Sequence, residues 1–552
     1  MKIPTDPAAK LALYSDLVQK CSASRDNRAL DYEKWRLWYL FGSDGGKPAK
    51  FNKIYPHIDQ LTSFMYSQET TKFAVNPGPS VSDLQLPKVP IVNRAVLSEW
   101  HASNGDIIFG HALTWSFVYG SMFVKTRWHG KAVEPYVVYP HDVGVLREDI
   151  PMLSRQEAFC HWYFVSKSQL EYELTVTEHP RANEILAKAL TRQLPERGGG
   201  MGAKQVEITG IQPVLQGQAN MWPAGSANYK AVVNDDMVEL CELYVWDDDK
   251  ADYRLATCAD PDIVVYDREM DRIFLKGEYP LIQVCPNPSP DYFWGYSETE
   301  RLMPLQKLRE ERMDQITHIL DKQANPPKWM AGFNGVVDEM MLALDTPGGG
   351  VNSDNPGAKA EQMAPNVPED LFKEVAEIDK MFEEMSGITN VMQGRGEQGV
   401  RSQAHAGQLA QLGSSRAKKR ALIVEDSLEF MATMYLKIMR KFDDRRYRGE
   451  DGLEFVMEQF TDDFVVKVDS HSNSPLFNEN QNALVFELLK AGAIDLEETL
   501  MLVDVPMREL LLHNLKTKIL PQRAKQAQQE QATQAAHAQA QGKNVSQMPK
   551  RG

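Results

Sequence analysis

The run SQAHAGQLAQLGSSRAKKRALIVEDSLEFMATMYLKIMRK, Ser402 to Lys441, holds forty residues that read as one helix. At ~1.5 Å rise per residue it extends roughly 60 Å, long for a compact globular domain, so it needs neighbours along its whole length. Val424, Leu428, Met431, Tyr435, Ile438 and Phe442 follow at steps of four and three, and stepping back by sevens reaches Ala417 and Ala410. The spacing predicts a narrow apolar seam, bordered by Arg416, Lys418, Lys419 and Arg420. Such a seam closes a core within one subunit or packs against the next copy; the sequence does not separate the two.

Upstream of this run stand two amphipathic helical stretches separated by a Pro/Gly-rich insert, and then the Gly-rich loop Gly394-Arg-Gly-Glu-Gln-Gly399. The loop matches the Gly-x-Gly-x-x-Gly pattern that wraps nucleotide phosphates. That chemistry needs a strand before the glycines and a βαβ unit of ~30 residues around them, whereas here helices lie on both sides. A flexible helix-to-helix loop is the better reading, since glycine reverses the chain at little steric cost. The order of elements suits a subunit of a ring better than an enzyme.

With 552 residues, 43% hydrophobic and 25% charged, the chain has the composition of a soluble globular protein with several cores. No apolar run reaches the ~18 residues of a membrane helix, and the N-terminus lacks a signal-peptide pattern, which predicts a cytosolic product that meets no membrane. Five scattered cysteines without a Cys-x-x-Cys pair indicate buried thiols, not a disulfide framework or a zinc site. The net charge of −15 has the wrong sign for gripping nucleic acid through its phosphates. It suits a wall past which DNA slides, but solubility alone also explains it and is the safer reading of an acidic total.

Along the chain, Asp6 and Pro7 open a helix with Leu11, Tyr14, Leu17, Val18 and Cys21 on one face. A second helix spans Ala29 to Phe41 and stops at Gly42; a third, Asn52 to Gln68, carries Ile54, Ile58, Leu61 and Met65 into the edge strand Phe73 to Pro77. Lys88 to Phe117 reads as helical and breaks at Val118-Tyr-Gly120. Short strands follow at Ser121–Arg127, Pro135–Tyr139, Phe159–Val165, Met237–Trp246, Arg254–Ala259 and Asp262–Tyr266, giving a mixed α+β, helix-dominated body. Arg197 to Gly202 and Pro213 to Asn228 read as a mobile Gly-rich insertion, and Gln522 to Gln541 as a Gln/Ala-rich, helix-prone tail.

No catalytic constellation emerges. There is no P-loop, so the chain is not itself a packaging motor, and there is no His-Glu-x-x-His and no Gly-x-Ser-x-Gly. Asp262, Asp267 and Glu269 hint at a restriction-type nuclease, yet Phe274 stands where that site wants an acid two residues before Lys276. Asp247-Asp-Asp249 reads as a solvated turn rather than a cation site. His101, His111 and His141 read as structural. The expectation is a protein without metal, cofactor or enzymatic activity.

Several segments in order resemble the portal proteins of tailed bacteriophages, the ring that joins head to tail. Ala112-Leu-Thr-Trp-Ser-Phe-Val-Tyr-Gly120 with Ser121 to Arg127 is similar to the family's helix, glycine and strand unit, and Val133 to Pro140 to the strand-to-proline step after it. Gly295 to Gln306 with the helix after it, and Asn325-Pro-Pro-Lys-Trp329, are similar to the entry to the stem, its first helix and the start of the clip; Leu489 to Thr499 resembles a crown element. The likeness covers most of residues 1–520, and the Gly-rich insertion and the Gln/Ala tail depart from it.

The resemblance implies a portal fold of wing (1–300), stem helices (301–324 and 366–386), clip (325–365), tunnel loop (387–401), long helix with return to the wing (402–474), crown (475–520) and tail (521–552). Phe372, Val375, Ile378, Met381, Phe382 and Met385 would form the apolar face of the second stem helix. It further implies a homo-dodecamer at one capsid vertex of the virion, made in the host cytoplasm and acting as the channel for double-stranded DNA. The terminase large subunit would dock on the clip and later give way to head-completion, adaptor and tail proteins, with major capsid and scaffolding proteins around the ring. Gln393, Arg395, Gln398 and Arg401 of the loop, with Lys307, Arg309 and Lys322 of the stem, would meet phosphates weakly; ordinary ion pairing of the stem residues is an equal reading. Lys328, Trp329, Met330, Asp338 and Glu339 would contact partners at the clip, Trp329 having core packing as its equal alternative. Another structural phage ring or a DNA-processing enzyme are the alternatives.

Overall fold

The computed structural model describes residues 1–44, 48–66, 73–79, 81, 83–188, 191–192, 237–260, 263–270, 274, 276–324, 328–332, 338–340, 342, 353, 355–362, 366, 368–386, 415–449, 453–461, 463–468, 485–494 and 499. The chain divides into two units, Met1–Ser470 and His471–Gly552; residues 485–490 of the second are helical. The glycine loop 394–399, the insertion at 197–228, the first part of the forty-residue run and the Gln/Ala tail lie outside the described residues.

Helix α1, Pro7–Asp26, is capped by Asp6, whose carboxylate accepts from the Ala9 amide at 3.0 Å. Tyr14, Leu17, Val18 and Cys21 are buried, but Leu11, expected beside them, is exposed, while Leu13 packs against the core in its place. Helix α2, Ala29–Phe41, ends where Gly42 takes φ 66°, the left-handed stop that glycine adopts without a Cβ penalty. Helix α3, Ile54–Met65, starts under Asn52, whose side chain accepts from the Ile54 amide at 3.0 Å. Its Ile54, Ile58, Leu61 and Met65 are all buried.

Strand β1, Phe73–Pro77, precedes α4, Val89–Ala102, and α5, Gly105–Tyr119. At Gly120 the chain turns with φ 91°, and a Cβ there would stand 2.7 Å from the Trp294 carbonyl oxygen. The hairpin β2, Met122–His129, and β3, Ala132–Val138, follows. Then come β4, Val143–Val145; β5, Ala158–Ser166; α6, Lys167–Val176; α7, Ala182–Lys188; and β6, Thr191–Arg192. Strands β7, Met237–Asp247, β8, Asp252–Asp260, and β9, Ile263–Glu269, complete an antiparallel sheet of order β4-β5-β7-β8-β9, with β6 on β7. A three-stranded sheet, β10-β2-β3, uses β10, Leu281–Val284.

The six strands read from the sequence are thus present with shifted ends, while β4, β10, α6 and α7 were not read. Cys21, Cys160, Cys241 and Cys258 lie in one core between α1 and the large sheet; Cys285 is only partly buried, a correction to the reading of five buried thiols. The acidic turn differs too: Asp247 is buried at the end of β7 and accepts from the Asp249 amide at 3.0 Å, and Asp248 pairs with the N-terminal amine at 2.8 Å. The suspected nuclease acid Asp267 is an ion-pair hub, held by Arg254 and, at 3.1 Å, by Lys10.

The largest core gathers α3, α4, α5 and the long helix, described over Ser415–Phe442. Val424, Leu428, Met431, Tyr435 and Ile438 are buried as the seam requires. The seam is not narrow, however: Ala432, Met434, Leu436 and Met439 are buried as well, because helices and the strands of two sheets surround this half of the helix, while Phe442 is 41% exposed at its end. This part of the seam therefore closes a core within one subunit. A strand over Phe464–Val468 pairs antiparallel with β1 beside it.

Candidate functional site

Ser297 opens the outgoing helix, Glu298–Ala324, by accepting from the Glu300 amide at 3.0 Å while donating to the Val118 carbonyl at 2.6 Å. Glu298 and Glu300 in the first turn complement the positive end of the helix dipole. Leu302, Gln306, Arg309 and Ile316 form its buried stripe. The return helix, Glu369–Ser386, answers with Ile378 and Phe382. Arg309 Nε donates to Asp379 Oδ1 at 2.8 Å and Arg312 Nε pairs with Glu374 Oε1 at 2.9 Å; the numbers rise on one helix as they fall on the other, so the two run antiparallel. Between them in sequence, β11, Lys328–Ala331, pairs antiparallel with β12, Lys359–Gln362.

A short strap ahead of α3 holds this hairpin of helices to the body. The Lys53 amide donates to Gln306 Oε1 at 3.0 Å, and Gln306 Nε2 donates back to the Phe51 carbonyl at 2.9 Å. The Lys50 amide donates to Glu310 at 2.9 Å, and its ammonium pairs with Asp314 at 2.7 Å. Lys53 Nζ reaches Asp379 at 3.4 Å, so one strap touches both helices. At the base, the buried Glu298 accepts from Arg420 of the long helix at 3.2 Å and from Asn287 at 3.1 Å. His57 of α3 faces the Phe382 ring there with its Nε2 unpartnered; burial first, and the Arg420 charge second, push it down to about 4.

Of the residues expected to meet DNA, Lys307 and Lys322 are exposed on the outgoing helix. Arg309 is corrected: it is buried, tied to Asp379 and stacked over Phe51, so it joins helices instead of facing a solvent channel. Gln393, Arg395, Gln398 and Arg401 lie outside the described residues. Lys328, Trp329 and Met330 fall on β11, in register with Gln362, Glu361 and Ala360, and Asp338 and Glu339 are exposed. The expected apolar face of the return helix is only half used within this chain, since Phe372, Met381 and Met385 are exposed. Sequence reasoning missed Gln306, Asp379 and the strap; the signal available was a Gln and an Arg standing on the stripe of Leu302, where an isolated helix would carry apolar residues.

The two helices carry thirteen Asp/Glu against seven Lys/Arg. That balance opposes tight phosphate binding. Among the described residues no group of three or more His, Cys, Asp or Glu is arranged to hold a metal, and no helix is long and apolar enough to cross a membrane.

No curated protein sequence matches the chain significantly. Among solved structures, the neck of a native gene transfer agent particle with C12 symmetry aligns over 85% of this chain and 92% of that chain, with 10% identity and a TM-score of 0.40. The neck of an empty particle with C6 symmetry aligns over 87% and 94%, with 10% identity and a TM-score of 0.42. A chain of the native gene transfer agent virion aligns over 87% and 94%, with 10% identity and a TM-score of 0.41. Likeness this distant carries no argument. The family match does: the model of the phage SU10 portal protein covers residues 206–543, well over half of the chain and all of the helical hairpin, its strap excepted. The chain belongs to the phage SU10 portal protein family.

Proposed function

We propose that about twelve copies of this chain form a ring at one vertex of a phage capsid, with the paired helices around a central channel for double-stranded DNA. The observation that carries the reading is an antiparallel helix pair pinned to the body by a strap, with the antiparallel strands β11 and β12 between the two helices in sequence, within a chain of the portal family. The subunit does no covalent chemistry. A separate terminase ATPase docks on the β11–β12 end and drives DNA inward, and head-completion, adaptor and tail proteins take its place after packaging; major capsid and scaffolding proteins surround the ring. The acid excess on the helices supports a wall that DNA slides past. Lys307 and Lys322, with Gln393, Arg395, Gln398 and Arg401, supply sparse contacts to phosphate; Lys328, Trp329, Met330, Asp338 and Glu339 supply contacts to the motor and its successors. Synthesis takes place in the host cytoplasm and residence in the virion.

Negative-stain microscopy of the purified protein tests this. Round particles with a central hole and a protruding collar are expected; compact solitary particles under all conditions, including in assembled virions, would overturn it.

A further inference from the structure

A cavity of about 340 Å³ lies between β2, the strands β7 to β9 and the end of the long helix. It is complete within one copy, and its size falls at the small end of ligand pockets, which run ~300–1,000 Å³. Two cores meet there, since Ile438 belongs to the largest and Tyr244 and Leu255 to a second. The rim is open: Phe442 is 41% exposed and Arg268 is exposed as well. Trp128 and Phe442 form one wall, stacked with ring centroids 6.1 Å apart and planes 19° apart, and Phe274 and Met270 add apolar surface. Flat rings and a thioether suit an aromatic guest, which they meet by offset or edge contacts.

The charges around the cavity select the guest's sign. Lys125, Arg127 and Arg268 line it together with Glu242 and Glu269, an excess of one cation in a chain whose total is −15. Lys125 is held by Glu242, Arg127 by Glu134 at 2.7 Å and Glu269 by Lys250. Arg268 has no ion pair among the described residues. Its guanidinium therefore leaves a planar fork of donors at the mouth, the geometry that matches the two oxygens of a carboxylate. We infer that this cavity binds a small aromatic carboxylate, its ring against Trp128 and Phe442 and its carboxylate on Arg268. Such a guest touches both Ile438 and Leu255, and so ties the end of the long helix to the large sheet.

Indole-3-acetate, an aromatic monoanion, is the probe against the full-length protein, and its uncharged amide is the control. Calorimetry should show saturable binding of one probe per chain, and the unfolding midpoint should rise with probe concentration. Replacing the acid by the amide, or Arg268 by Glu, should weaken binding about tenfold or more, whereas Arg268→Lys should lose less than Arg268→Glu. Absence of saturable binding at millimolar probe, or equal binding by wild type and the Arg268→Glu protein, would overturn the site. Equal affinity for acid and amide would overturn the anionic class of guest. Ring formation enters none of these outcomes, so the cavity and the assembly stand or fall separately.

Discussion

Arg309 and Asp379, seventy residues apart, meet across the two helices at 2.8 Å, with the guanidinium buried and the carboxylate partly exposed. Removing one partner of such a pair costs more than removing both, because the survivor is left charged and desolvated. Asp379→Leu should therefore destabilise the body by ~3 kcal/mol, whereas Arg309→Met together with Asp379→Leu should cost clearly less than that single change. Urea unfolding of the two single variants and the double variant gives the coupling. Strictly additive losses would show that the pair adds nothing.

Gly120 joins α5 to β2 in a conformation that no side chain fits. Its φ is 91°, and the Trp294 carbonyl lies 2.7 Å from where a Cβ would stand. Gly120→Ala should cost ~1–3 kcal/mol from backbone strain, with a further loss if Trp294, which is fully buried, must move. Thermal unfolding checks this, and an unchanged midpoint would mean the turn is free to relax.

The C-terminal end of α2 was legible because Gly42 supplies its own stop signal, and the face of α3 because Ile54, Ile58, Leu61 and Met65 repeat at helical spacing. The breadth of the long helix's buried surface was not legible. Periodicity selects the residues that best fit one stripe, and Ala432, Met434, Leu436 and Met439 are covered by strands that arrive from distant parts of the sequence, β2 and β10 among them. The helix pair was readable as two amphipathic runs, but its fastening was not, since Gln306 meets Phe51 and Lys53 some 250 residues away. The exposure of Phe372, Met381 and Met385 shows the converse limit: an apolar face is legible in a sequence while the surface that covers it is not.

His57 makes stability depend on pH in a known direction. Its ordinary value of 6.5 is pushed down to about 4, first by burial and second by Arg420, so the folded chain keeps it neutral. On acidification the unfolded chain takes up the proton first. The stability that neutral His57 contributes is therefore whole above pH 6.5, drains as pH falls towards 4 and changes no further below that, in all about 3 kcal/mol. Comparing wild type with His57→Asn across this window isolates the effect from that of the carboxylates. Parallel curves would remove His57 from the acid response.

Gln306 is fully buried, and its single amide serves as both acceptor and donor to the strap. In Gln306→Leu the Lys53 amide and the Phe51 carbonyl both lose their partners, at a cost of ~1–3 kcal/mol for each group that stays dry. Gln306→Glu keeps the acceptor for Lys53 and loses only the donor to Phe51, so it should retain more protection at Lys53 than the leucine variant. Amide hydrogen exchange at Lys53 reads this directly: fast exchange is expected in Gln306→Leu and intermediate exchange in Gln306→Glu. The ions from Lys50 to Asp314 and from Lys53 to Asp379 remain in both variants, but they are solvent-exposed and worth little alone, so they should not rescue the amide. Equal protection in all three proteins would mean that those ions, not the buried amide, hold the hairpin to the body.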